Sequence, residues 1–153
     1  MTTPSALEVP VGVPFARRLA ARLVLVPAVL LSLLPPRRIR AVLEVVRRGA
    51  RPASAARTRA ARDAVCAVSL RCAGPQGCLP RSLGTALLCR LTGSWPTWCT
   101  GVSVVPPFNA HAWVEADGRP VGEPMPDGYF ARLLAVGPAR PAPTTPESSG
   151  RGG

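Results

Sequence analysis

The chain has 153 residues, enough for one compact domain. Its composition, with 47% hydrophobic and 18% charged residues, is typical of a globular protein. Its formal net charge is +11, and all 19 basic residues are arginine. The absence of lysine excludes Schiff-base and P-loop-lysine chemistry, and a single histidine excludes a zinc site built on two or three imidazoles. The charge leaves an acidic partner, nucleic acid or a membrane surface open.

The N-terminal part of the chain is predicted to be an irregular arm over 1–14 followed by a helical region over 15–52. The first helix covers 15–34, and Pro27 bends it. Four leucines fall near one face of this helix: Leu19, Leu23, Leu30 and Leu34. Its apolar stretch is shorter than the roughly 20 residues of a spanning helix, so we expect a buried or surface-lying helix without stable membrane insertion. A signal or membrane anchor is the alternative.

The most amphipathic segment is the next predicted helix, over 37–48, which Gly49 caps at its C-terminus. Its apolar residues follow helical spacing at Ile39, Val42, Leu43 and Val46. Arginines occupy most of the remaining positions. This charged face is predicted to be either a solvated surface or a docking surface for a partner.

Two more helices are predicted ahead of a change from helix to sheet at Gly93. Ser54 is placed to cap a helix that runs to about residue 70, and a Gly-Pro turn then precedes a helix over 78–91. The inner face of that last helix is predicted to carry Leu79, Leu83, Ala86, Leu87 and Leu91. The five cysteines form no Cys-x-x-Cys pair, which favours reduced thiols in a cytoplasmic protein; Cys66 and Cys72 are interpreted as packing thiols.

The C-terminal part is predicted to contain strands over 98–105, 110–115 and 119–123, and then a disordered tail over 137–153. Residues 53–136 are therefore assigned to one core domain. Together with the preceding helices, these strands predict an α+β fold.

Cys78 differs from the other thiols in its position. It follows a glycine-containing turn and precedes Pro80, a residue suited to the first turn of a helix. A thiol at a helix N-terminus has a lowered pKa, and the free N–H groups there can bind an oxyanion. The alternative is a buried cysteine that happens to begin a helix. Gln76 is a further possible oxyanion donor, although a simple turn amide explains it equally well.

His111, Trp113 and Glu115 share one face of the second predicted strand. We expect a three-residue hairpin loop with Gly118 left-handed, which pairs Glu115 with Arg119 and brings His111 opposite a carboxylate at Glu123. A two-residue loop would leave that carboxylate on the other face. A carboxylate opposite an imidazole orients the ring, so the predicted order is nucleophile, base and orienting acid: Cys78, His111 and Glu123.

The segments Cys78-Leu79-Pro80-Arg81-Ser82, 95–101, 107–115 and 117–123 resemble the leader peptidase of lasso-peptide biosynthesis, the stand-alone peptidase half of the split B protein. The resemblance covers roughly 37–124. It implies a transglutaminase-like, papain-related core, with the nucleophile at a helix N-terminus packed on an antiparallel sheet. Many relatives have aspartate at the position of Glu123; Asp127 is the fallback for its role, whereas Asp117 lies in the turn.

The resemblance further implies a cysteine peptidase that removes the leader from a ribosomally made precursor and needs no cofactor or metal. Its implied partners are the precursor peptide, a separate winged-helix leader-binding protein and an ATP-dependent macrolactam synthetase. Two alternatives remain: an acyl transferase using the same three residues, and a non-enzymatic basic module that binds nucleic acid or a membrane. No aromatic residues interleave with the arginines of 37–62, so the charge favours a protein partner over nucleic acid.

Overall fold

A computed structural model of the chain describes residues 10–139. Its helices are α1 (Phe15–Ser32), α2 (Pro36–Val46), α3 (Ala55–Val68), α4 (Leu70–Ala73) and α5 (Cys78–Leu91), with a short 3-10 turn over Pro75–Gly77 ahead of α5. Its strands are β1 (Arg51–Pro52), β2 (Ser94–Trp95), β3 (Thr97–Ser103), β4 (Ala110–Ala116), β5 (Arg119–Pro120) and β6 (Phe130–Val136).

Four of the strands form an antiparallel sheet in the order β5-β4-β3-β6, and β1 with β2 forms a separate parallel pair. Helices precede this sheet in the chain and pack against it, so the predicted α+β class is confirmed. The helix predicted over 78–91 is also confirmed, as is the cap of α3, where the Ser54 side chain accepts from the N–H of Arg57.

Helix α5 lies at the centre of the fold, between α1 and α3 on one side and β4 on the other. Two tryptophans anchor the sheet to its surroundings. Trp98 donates from its indole N–H to the hydroxyl of Ser82 on α5 at 3.1 Å, and Trp95 donates to the carbonyl of Val136 at 3.0 Å. Both rings are fully buried with their polar atoms paired, so Trp98 fixes α5 against the sheet and Trp95 fixes the end of β6.

The leucine face of α1 points away from the core. Its buried residues are the small side chains Ala21, Val24 and Ala28, whereas Leu19, Leu23 and Leu30 are exposed. Because α1 is apolar on both faces, periodicity alone does not tell which face packs inward. Small residues face inward because they let α1 approach α5 closely, where Leu25 contacts the α-carbon side of Gly84.

Two further expectations are wrong: the strand expected over 119–123 ends at Pro120, and Leu91 is exposed at the end of α5 instead of lying on its inner face. Strand β6 was not predicted. β6 has exposed residues at most positions, so it lacks the alternation that marks a half-buried strand.

The arm predicted over 1–14 lies mostly outside the described residues, as does most of the tail predicted over 137–153. The domain boundaries at 52/53 and 136/137 stay predictions. Within 10–139, no helix has both the length and the apolar character to cross a membrane.

Gly101 sits at the bulge where β3 shifts its register against β6, with its α-carbon against the backbone of Ala131. A Cβ at this position would collide with the Ala131 carbonyl. We expect Gly101→Ala to lower the free energy of unfolding by about 2–3 kcal/mol, measured by urea denaturation.

The matched control is Gly137→Ala, whose Cβ would lie 3.4 Å from the Thr97 hydroxyl, an ordinary contact. We expect a change within about 0.5 kcal/mol. Equal effects of the two substitutions would contradict the β3–β6 register.

Candidate active site

Cys78 is the first residue of α5 and directly follows the 3-10 turn. Gly77 packs against the backbone of Arg71 and Cys72 so closely that no side chain fits there. Pro80 lies in the first turn, where its missing N–H costs no hydrogen bond. The half-buried thiol therefore lies where the unpaired N–H groups and the dipole of α5 favour negative charge.

His111 reaches this thiol from the open edge of β4. Strand β5 pairs with Glu115 and Ala116, and the N–H of Val121 donates to the carbonyl of Val114 at 2.9 Å, so no described strand pairs with the start of β4 on that side. Cys78 lies near this edge, and the His111 ring and the backbone N–H of Ala112 both lower the pKa of its thiol. The short β5 thus gives α5 access to the imidazole.

Glu123 holds the other side of the ring. The Nε2–H of His111 donates to Oε2 of Glu123 at 2.8 Å, which leaves Nδ1 as the nitrogen available to the Cys78 thiol. The Glu123 side chain is only 7% exposed, whereas Asp127 is exposed and Asp117 lies in the β4–β5 turn. The structure therefore brings Cys78, His111 and Glu123 together, and their catalytic role stays a prediction.

The hairpin that carries Glu123 differs from the one expected. Ala116 pairs with Arg119, so the loop has two residues, and both Asp117 and Gly118 have positive φ, as in a type I′ turn. The expected three-residue loop with a bulge is wrong. In a regular strand the observed register would turn Glu123 away from His111.

The backbone conformation of Gly122 explains how Glu123 reaches His111 in spite of this register. Hydrogen bonding to β4 continues through Val121, whose N–H donates to the carbonyl of Val114 at 2.9 Å. Gly122 then adopts φ +72°, a conformation that L side chains rarely adopt. The chain turns there, and the next side chain, Glu123, points to the imidazole. The contact between His111 and Glu123 was anticipated, but the register that was argued for it was not the one present.

The interactions within this group shift the pKa values of its thiol and imidazole. The hydrogen bond with His111 lowers the pKa of the Cys78 thiol, despite partial burial that opposes it. Burial would lower the pKa of His111, yet its interactions with Cys78 and Glu123 raise it to about 9. By contrast, burial raises the pKa of Cys89 to about 11 and that of Cys99 to about 12. The arrangement favours a thiolate–imidazolium pair at Cys78 and no charge on Cys89 or Cys99.

Arg81 is the important residue that sequence reasoning missed. It lies one turn after Cys78 on α5 and is 8% exposed. Its Nη1 donates to the carbonyls of Cys72 at 2.9 Å and Gly74 at 3.3 Å, and its Nη2 lies 4.0 Å from Oε1 of Glu123. Arg81 thereby ties the turn before Cys78 to the carboxylate that orients His111. Its spacing of three residues from Cys78 was the available signal, because such residues share a helix face.

The outer face of the His111 ring is covered by aromatic residues. Phe130 of β6 stacks on the imidazole with ring centroids 4.4 Å apart, and Trp113 stacks against Phe130 at 5.6 Å. These rings, with Glu123, line part of a cavity of about 220 Å³. A larger open depression of about 600 Å³ lies across α3 and β5 and includes neither Cys78 nor His111. Of Cys78, His111 and Glu123, the lining of the smaller cavity includes only Glu123.

Gln76 is exposed within the 3-10 turn, and its role as an oxyanion donor stays a prediction. Between residues 10 and 139, no group of three or more His, Cys, Asp or Glu side chains is arranged to hold a metal ion. The chemistry that this site supports is that of its thiol, imidazole and carboxylate.

The single histidine permits a direct measurement of the imidazole pKa. NMR titration of its ring protons is expected to give a midpoint near 9 in the native chain. Glu123→Gln removes the carboxylate charge and should move the midpoint towards 6.5, the ordinary value. Asp127→Asn is the control and should leave the midpoint in place. A native midpoint near 6.5, or equal shifts in the two variants, would contradict the observed pairing.

The role of Arg81 is tested through the thiol. We expect Arg81→Met to raise the pKa of Cys78, read from the pH dependence of its alkylation by iodoacetamide with peptide mass mapping, and Arg81→Lys to restore part of the shift.

Arg90 offers a matched control at the other end of α5, where it donates to the carbonyl of Val46 at 2.7 Å. Arg90→Met should leave the alkylation profile of Cys78 unchanged. A native profile in Arg81→Met would show that Arg81 only fills space.

Comparison with known protein families gives one match to this chain. The description "Transglutaminase-like superfamily" matches residues 21–135. Searches of curated proteins and of solved structures gave no significant match. Members of this superfamily are typically cysteine-dependent enzymes. The match spans most of the chain, including α5, β3, β4 and nearly all of β6, and the chain therefore belongs to the transglutaminase-like superfamily.

Proposed function

We propose that the chain is a cysteine peptidase that removes the leader from a ribosomally made lasso-peptide precursor. The observation that carries the proposal is the 2.8 Å hydrogen bond between Nε2 of His111 and Oε2 of Glu123, beside a Cys78 thiol whose pKa the same imidazole lowers. This is the arrangement of a nucleophile, a general base and an orienting acid. A thiol nucleophile suits both peptidases and acyl transferases of this superfamily.

In the proposed mechanism, the Cys78 thiolate attacks the scissile carbonyl and the backbone N–H of Cys78 stabilises the oxyanion. His111 gives a proton to the leaving amine, which releases the core peptide with a free N-terminus. The leader then remains as a thioester on Cys78. Nδ1 of His111 takes a proton from water, which hydrolyses the thioester and restores the thiol. Glu123 stabilises the imidazolium in both steps.

The substrate class rests on the resemblance of the segments from Cys78 to Glu123 to lasso-peptide leader peptidases. In this proposal a separate winged-helix protein binds the leader, and an ATP-dependent macrolactam synthetase takes the released core peptide. All of these proteins act in the cytoplasm. An open reading frame for a short precursor beside the gene for this chain would be the expected genetic setting.

The decisive experiment is mass spectrometry of the cognate precursor after incubation with this chain and the leader-binding protein. We expect one cleavage at the leader–core junction, abolished by Cys78→Ala and by His111→Ala. Cys99→Ala is the matched control: it removes a buried thiol whose pKa of about 12 keeps it protonated, so cleavage should persist. Circular dichroism checks that each variant is folded.

Water enriched in ¹⁸O separates the peptidase from the acyl transferase. Hydrolysis places one labelled oxygen in the C-terminal carboxyl of the leader, whereas transfer to an added amine gives an amide without the label. Intact precursor in the presence of folded protein and leader-binding partner would overturn the proposal. Amide as the main product would support the transferase instead, and salt-dependent binding to nucleic acid, unaffected by Cys78→Ala, would support the basic module.

A further inference from the structure

The outer face of α1 carries a continuous apolar strip that the fold does not cover. Five side chains, 49% to 76% exposed, form this strip, which we term the α1 seam: Leu19, Leu23, Val26, Leu30 and Leu33. The core-facing residues Ala21, Val24 and Ala28 lie on the opposite side of the helix. The α1 seam is therefore not the edge of the hydrophobic core, and its exposure needs another explanation.

The spacing of the seam indicates what shape covers it. Successive members are four, three, four and three residues apart, which is the a and d pattern of a heptad repeat. Such a pattern gives a narrow strip along one helix, matched to the side chains of a second helix lying nearly parallel to it. The seam extends over nearly all of α1, so a helix of similar length would fit it.

Charge indicates the chemistry of that second helix. Arg18 and Arg22 are exposed and border one side of the seam, and α1 contains no acidic residue. Three more exposed arginines follow at the start of α2: Arg37, Arg38 and Arg40. Among residues 10–139, no carboxylate forms an ion pair with these arginines, so a helix that buries the seam meets a border of positive charge. Acidic residues beside its apolar positions would pair with these guanidinium groups.

The same charges argue against a second copy of this chain. Two α1 helices packed along their seams would bring arginines together with no carboxylate on either helix to separate them. Glu44 of α2 forms an ion pair with Arg47 of the same chain at 2.6 Å, so it is not free to pair with an arginine of a second copy. Self-association through the seam is therefore electrostatically unfavourable.

A membrane surface fits the seam less well than a helix does. Helices that lie in a bilayer interface present a broad apolar face. The α1 seam is narrow, with the exposed Arg22 on one flank and the exposed Pro27 on the other.

We propose that the α1 seam is the docking site for an amphipathic helix of a partner protein, with acidic residues flanking its apolar stripe. The proposal concerns α1 alone and does not depend on the chemistry at Cys78. Docking would bury the leucines of α1 while Arg18 and Arg22 pair with carboxylates at the rim. The arginine-rich N-terminal region thus acts as a protein-recognition surface on the side of α1 away from α5.

The probe is a synthetic helical peptide of about four heptads, with leucine at a and d and glutamate at e and g. We expect saturable binding to the full chain by fluorescence anisotropy, with a gain of helix in the peptide by circular dichroism. Leu23→Glu combined with Leu30→Glu should weaken binding by on the order of 100-fold, because two apolar contacts are lost and two repulsive charges are introduced. Both residues are exposed, so the variant is expected to fold.

Leu133→Glu is the matched control, because Leu133 is 67% exposed on β6 and lies outside the seam. It should bind the acidic peptide as the native chain does. A peptide with lysine in place of glutamate at e and g should bind at least tenfold more weakly, as expected if charge contributes more than about 1.4 kcal/mol.

Four outcomes would overturn the proposal. The first two are unchanged peptide binding in the seam variant and equal binding of the acidic and lysine peptides. The third is that the chain binds vesicles of phosphatidylserine and phosphatidylcholine through the seam and does not bind the peptide. The fourth is a dimer in sedimentation equilibrium that the seam variant does not form. None of these outcomes bears on cleavage of a precursor, which is measured separately.

Discussion

The site depends on one imidazole held between a thiol and a carboxylate. Nε2 of His111 lies 2.8 Å from Oε2 of Glu123, and the other ring nitrogen is available to Cys78. Each neighbour raises the pKa of the ring, and the ring in turn lowers the pKa of the thiol. The three groups stand on different elements: the start of α5, the open end of β4 and the chain after β5. Much of the packing in the fold serves to hold those elements at the correct distances.

Arg81 connects the elements around this imidazole. It is buried on α5, where it donates to two carbonyls of the turn before Cys78 and also faces the Glu123 carboxylate. A buried charge without partners would be costly, so the carbonyls and the carboxylate stabilise Arg81 as it positions them. Because of these contacts, Cys78 and Glu123 cannot easily move relative to each other. Trp98 adds to this by tying α5 to the sheet through Ser82.

The arginines of the chain divide into two groups with different physical roles. Arg81 and Arg90 donate to backbone carbonyls at the two ends of α5 and help to set its position. Most arginines of α1 and α2 are exposed, and those of α1 lie beside apolar side chains that the fold leaves uncovered. The high net charge thus marks a surface on the N-terminal helices, on the side of α1 away from α5.

The sequence by itself determined the α+β class, the bounds of α5 and the placement of Cys78 at its N-terminus, because these follow from local patterns: helical spacing, proline in a first turn and a preceding glycine turn. The pairing of His111 with Glu123 was also reached from sequence, although the hairpin register behind it was wrong. Only the tertiary structure decided that Gly122 turns the chain, that Arg81 faces inward and that Phe130 of β6 stacks on the imidazole. It also decided that Leu19, Leu23 and Leu30 of α1 face outward. Each of these depends on contacts between segments far apart in the chain, and local periodicity carries no information about which partner a face will meet.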